Sequence, residues 1–265
     1  MNGHLVTVDG AEHEITPEAV KALMASSTRF WLDLATEDQA EAVALLRDTF
    51  GFHPLAVEDA EHFGQRPKID SYDDFTLLVV YGVAGQGQLV EVHCFYTESY
   101  LVTVHHDPCP DLWDLVERLK RRAGGSQPDH VMLLYRVVDA LIDGYFPVLA
   151  QLDDEIDDLE DEILQRPTEQ QLGRLFDMKR SLIALRKVVT PQRDMFATLL
   201  TGRDALPAVA VALDPRQSGE ADALPTAFER VPEAKRAAAR NSWERRVVDL
   251  LAVVHFRRAM YQALL

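Results

Sequence analysis

The sequence predicts an α+β chain, with an α/β/α N-terminal domain followed by long antiparallel helices, and three observations carry this expectation. Up to about residue 127, short β-type runs alternate with helical patterns. Beyond it, apolar residues recur at spacings of 4 and 3 from Leu134 to Ile163, which is the period of one helix face. Charge then separates. Residues 128–165 hold eleven acids and one Arg, whereas residues 166–206 hold eight bases and four acids, so the second stretch is suited to fold back on the first.

The elements follow in order. His4–Val8 and Phe30–Leu34 read as strands, and Glu37–Phe50 as an amphipathic helix with Ala40, Val43, Ala44 and Leu46 on or near one face. Pro54 suits the first turn of another helix, because its missing N–H would have no partner there, and Glu58 and Asp59 lie one turn further on. Gln65-Arg66-Pro67 makes a stiff turn into a strand. Phe75–Val83 reads as a buried strand and Gly82–Gly87 as the turn after it. Gln88–Tyr96 and Tyr100–His106 form a hairpin closed near Glu98 and Ser99. A helix over Leu112–Arg122 ends at Gly124 and Gly125, which gives a first unit of residues 1–127.

Residues 128–206 are the expected helical hairpin. The first helix spans Asp129–Gln165, kinks at Pro147 and is broken by Arg166 and Pro167. At ~1.5 Å per residue it measures roughly 55 Å, longer than a compact core requires. Thr168, with Gln171 three residues on, caps a second helix over Glu169–Leu200 that contains Pro191. Residues 207–265 comprise an irregular segment and a third helix from near Glu229. There Trp243, Val247, Leu250, Val254, Arg257, Tyr261 and Leu264 keep the 4–3 spacing.

Composition narrows the function. With 27 Lys and Arg against 43 Asp and Glu, the formal charge of −16 excludes nucleic acid as the expected partner and favours divalent cations. Cys94 and Cys109 build no disulfide framework, so a reduced compartment is expected. No apolar run approaches the roughly 18–20 residues of a membrane helix. No P-loop, nucleophile elbow or HExxH stands in the chain, so no enzyme is expected. Eight acids fill ten positions from Asp153 to Glu162, which reads as a solvated helix face rather than an EF-hand, because the loop glycine is missing. His105 and His106, near Cys109, His93 and Cys94, are adjacent in a strand and point to opposite faces, so they do not chelate zinc together.

Three motifs in order resemble the CorA family of magnesium and cobalt transporters. They are His53-Pro54-Leu55-Ala56-Val57-Glu58-Asp59-Ala60 with Gln65-Arg66-Pro67-Lys68-Ile69, then Tyr135 to Pro147, then Leu185 to Arg193. The resemblance implies one subunit of the family's funnel-shaped cytosolic part, which assembles as a pentamer of identical copies around stalk helices at the cytoplasmic face of the cell membrane. The family's two membrane helices and its Gly-Met-Asn loop would lie beyond Leu265, so no pore is expected within these residues. It also implies that acids at Glu58, Asp59 and Asp139 hold regulatory divalent cations between subunits. Asn241 stands where the family's stalk helix carries an acid, and offers a carbonyl oxygen without a charge.

The function so implied is a regulatory and assembly domain of a divalent metal ion (Mg2+/Co2+) transport protein, with Mg2+ as regulatory ligand and Co2+ or Zn2+ as other ions to consider. Two alternatives stand beside it: a soluble coiled-coil scaffold without transport, and a zinc-transporting branch of the same superfamily. A metal-dependent hydrolase lacks an acid–base constellation.

Overall fold

Seven strands pair into one mixed sheet in the computed structural model, which describes residues 2–26, 28–36, 39–85, 87–121, 130–166 and 168–201. The strands are β1 (Asn2–Thr7), β2 (Glu12–His13), β3 (Phe30–Ala35), β4 (Lys68–Ser71), β5 (Thr76–Ala84), β6 (Gln88–Tyr96) and β7 (Tyr100–His105). Their order is β2-β1-β3-β7-β6-β5-β4, antiparallel throughout except for the parallel pair β3–β7, where Leu32 faces Val102.

Helices cover both faces. One core gathers Leu5, Phe30, Leu32, Leu77, Val79, Phe95, Val102 and Val104 against α1 (Pro17–Ala25), α2 (Gln39–Ala44, continued by a π-helical turn over Leu45–Phe50) and α3 (Pro54–Glu61). The other gathers Val6, Trp31, Leu78, Val80, Val92 and Cys94 against α4 (Pro110–Arg121) and α5 (His130–Asp143). A sheet covered twice is apolar on both faces, which is why Thr76–Val83 shows no alternation of exposure. Leu133, Leu134, Val137, Val138 and Leu141 of α5 share their core with Leu112 and Leu115 of α4, so residues on both sides of the boundary expected near 127 pack together.

Four details differ from the sequence expectation. Helix α1 was not anticipated, although its signal is local: the Thr16 hydroxyl accepts from Ala19 N–H at 3.1 Å and Pro17 occupies the first turn. The short strand β2 was likewise not anticipated. Gly82 lies inside β5 rather than in a turn. A Cβ there would sit 2.8 Å from Leu141 Cδ2, so the glycine lets α5 approach the sheet. The long helix is not merely kinked but interrupted at Gly144, one turn before Pro147, where that proline leaves the Asp143 carbonyl without its N–H, so that α5 and α6 (Tyr145–Gln165) are separate helices. A Cβ on Gly144 would meet the Val83 carbonyl oxygen at 2.7 Å and Asp111 Oδ2 at 2.6 Å. Pro147 falls in the first turn of α6, where an N–H has no intrahelical acceptor to lose.

The return helix α7 (Glu169–Thr201) runs antiparallel to α6, with Glu162 opposite Arg174 near the tip and Tyr145 and Val148 packed with Leu185 and Val189 near the base. Its start keeps the expected capping box: Thr168 N–H donates to Gln171 Oε1 at 2.7 Å and Gln171 N–H to Thr168 Oγ1 at 3.4 Å. Pro191 sits inside α7 without ending it. The expectations for Gly124, Gly125, Pro167 and residues 202–265, including the third helix and Asn241, lie outside the described residues.

Candidate cation-binding site

Helix α3 presents two of the expected acids because its other face is committed to the core. Ala56, Val57 and Ala60 are buried against the sheet, which leaves Glu58 exposed and Asp59 partly covered at the rim. Asp59 Oδ2 is 2.6 Å from Lys68 Nζ, and Lys68 also reaches Asp70 at 2.8 Å. Burial opposes the Lys68 charge, but the two carboxylates outweigh it and hold the ammonium above its ordinary pKa.

Beneath the loop between α3 and β4 lies a group that sequence reasoning missed, Glu91 of β6. Its carboxylate accepts from Gly64 N–H at 2.6 Å, Gln65 N–H at 3.1 Å and His93 Nε2 at 2.7 Å, and lies 2.8 Å from the Tyr81 hydroxyl. Burial disfavours the charge, yet these donors prevail and hold Glu91 below the usual carboxylate range. An acid between Val90 and Val92, inside a run of strand-forming residues, is the available signal.

The same tyrosine meets the hairpin through its backbone. Tyr81 N–H donates to Gln192 Oε1 at 2.7 Å, and the Tyr81 carbonyl accepts from Gln192 Nε2 at 3.1 Å and from the Tyr145 hydroxyl at 3.0 Å. β4 pairs with β5 only as far as Val79, so the Gln192 amide takes over the role of a strand neighbour at the open edge.

Asp139 stands on α5, partly buried, in the layer on the opposite face of the sheet from α3. Glu58 and Asp59 are thus brought together in the subunit, Asp139 is kept apart from them, and Asn241 lies outside the described residues. Among the described residues, no group of three His, Cys, Asp or Glu side chains is placed to hold a metal ion. The His and Cys residues near the end of β7 serve other ends. His105 Nε2 faces the Asp33 carboxylate at 3.4 Å, His106 Nδ1 lies 2.9 Å from the Thr36 carbonyl, and Cys94 and Cys109 are buried free thiols. Among the described residues, no helix is long and apolar enough to cross a membrane.

The family profile described as CorA-like Mg2+ transporter protein matches residues 26–225. The cobalt/magnesium transport protein CorA of Thermotoga maritima is 32% identical over 198 residues, covering 72% of this chain and 56% of that protein. The zinc transport protein ZntB of Yersinia enterocolitica is 26% identical over 199 residues, covering 73% of this chain and 59% of that protein. The chain therefore spans little more than half the length of these relatives. The soluble domain of CorA from Methanocaldococcus jannaschii shares the fold, with a TM-score of 0.64 at 16% identity over 99% of this chain and 94% of that one. The family consists of divalent-metal transport proteins, not enzymes. Matched over most of its length, the chain belongs to the family of CorA-like Mg2+ transporter proteins.

Proposed function

We propose that this chain is the cytosolic, cation-responsive part of a homo-oligomeric CorA-type transport protein, with Mg2+ as regulatory ion and Mg2+ or Co2+ as cargo. The placement of the acids supports the reading. Glu58 and Asp59 stand in the layer on one sheet face and Asp139 in the layer on the other. Each subunit thus offers carboxylates on two sides, and a hard cation that takes six or more oxygens would find them where two subunits meet. Oxygen donors without His or Cys favour Mg2+ over a softer ion. Lys68 competes for Asp59, so an ion ligated there has to displace an ammonium already in place. In this reading residues 1–127 carry the α3 acids, 128–206 the hairpin and 207–265 the Asn241 position. Relatives named as zinc transport proteins make Zn2+ a second cargo to test.

Thermal unfolding and sedimentation velocity of the chain, with and without about 20 mM MgCl2, test this. For a Kd of about 1 mM, mass action adds about 1.8 kcal/mol, which raises Tm by about 4 °C or more. Asn241→Asp should increase the Mg2+ dependence of assembly, and Asp59→Ala in that background should remove the gain. Identical behaviour of the native chain and both variants would defeat the regulatory site. Assembly that ignores Mg2+ altogether would favour the scaffold.

A further inference from the structure

Helix α7 shows two different sides. Toward α6 it sets Gln171, Met178, Leu185 and Val189, all buried. On an adjoining flank, Leu172, Leu175, Phe176 and Ile183 are between 46% and 52% exposed. Positions 172, 176, 179 and 183 follow i, i+4, i+7, i+11, so the apolar stripe encloses Lys179, with Arg186 and Lys187 one turn beyond Ile183. None of these three cations has an ion-pair partner among the described residues. Four half-exposed large apolar side chains in one stripe, rimmed by charge, are more than a monomer's scattered surface hydrophobics.

The complementary pattern exists in the same chain. On α6, Asp153, Asp157, Glu160 and Leu164 repeat the same i, i+4, i+7, i+11 spacing, all exposed, with Leu164 at 85%. We propose that the Leu172–Ile183 stripe of α7 is the docking surface for the acidic flank of α6 from a second copy of this chain. The inference rests on the homo-oligomer reading above and names the surfaces that meet. Pairing α7 with α7 in parallel register would set Lys179, Arg186 and Lys187 against their own counterparts, and pairing α6 with α6 would oppose acids. Contact of α7 with α6 covers the stripe and sets its cations against acids.

Two sets of charge reversals in the 265-residue chain test it by sedimentation velocity in Mg2+. The α7 set is Lys179→Glu, Arg186→Glu and Lys187→Glu, and the α6 set is Asp157→Lys and Glu160→Lys. Each set alone should weaken assembly at least about tenfold while leaving the far-UV circular dichroism of a folded chain, and one chain carrying both sets should regain native assembly, because reversed α7 then meets reversed α6 at every contact. If both variants assemble like the native chain, the proposal falls and the homo-oligomer reading stands. If the α7 set only lowers Tm and leaves assembly intact, the stripe serves the chain's own fold, and the proposal falls too. A native chain that stays monomeric with and without Mg2+ overturns both.

Discussion

In β5 every residue from Thr76 to Val83 is buried, whereas in α6 only Tyr145, Val148 and Leu159 are. The sheet-centred body and the α6–α7 hairpin thus use different means of stability. The body excludes water on both faces, so the polar groups it keeps inside must find partners there. Trp31 Nε1 donates to the Thr103 hydroxyl at 2.9 Å, Thr103 donates to Asp33 at 2.5 Å, and His105 completes the chain. Burial opposes the His105 charge, but the Asp33 carboxylate raises its pKa above the ordinary histidine value. The hairpin keeps a narrow apolar seam and leaves its charges in water. The contrast teaches that a single polar deletion should be severe in the body and mild in the hairpin, and that the hairpin has surface to spare for other contacts.

The sharpest way to break this comparison is Glu91→Ala. It removes a buried acceptor shared by two backbone N–H groups, His93 and Tyr81, and should cost about 3–5 kcal/mol in urea unfolding at pH 7. Because the folded protein depresses the Glu91 pKa, its contribution is present above the ordinary carboxylate value of 4.5 and is lost as pH falls through the lower folded value. The difference between native and variant should therefore shrink in acid. An equal difference at pH 3 and pH 7 would contradict the assignment.

One substitution should then change sign between the regions. Gly144→Ala forces a Cβ against the Val83 carbonyl and Asp111, at a cost of about 1–3 kcal/mol. Gly173→Ala, inside α7 with nothing within 4 Å of the new Cβ, should stabilise by about 0.5–1 kcal/mol. Matched urea curves would read both, and equal signs would dissolve the distinction. The smallest effect is expected at the hairpin's crossing ion pair. Glu162 and Arg174 lie 2.8 Å apart with both side chains open to water, so Glu162→Ala should leave the urea midpoint almost unchanged, and any difference should fade in high salt.

What the amino-acid order revealed is what depends on close neighbours along the chain. The β7 hairpin partner, the Thr168–Gln171 cap and the α3 start at Pro54 follow from spacing within a few residues, and the antiparallel return of α7 from the opposite charge of two adjoining segments. The α1 start, with its Thr16 cap and Pro17, carries the same kind of local signal. The candidacy of Glu58 and Asp59 as cation ligands rests instead on the family resemblance of the motif that contains them. What the folded chain added depends on partners far apart in sequence. Gln192 closes the β5 edge at a separation of 111 residues, and no local pattern announces which strand will be left open. The helix breaks one turn before Pro147, which offers no N–H to the Asp143 carbonyl, and the glycine at the break is what lets β5 and α4 approach so closely. Asp139 lies across the sheet from α3 because α5 covers the opposite core, and helical periodicity can say that a helix has an apolar face but not which layer will receive it.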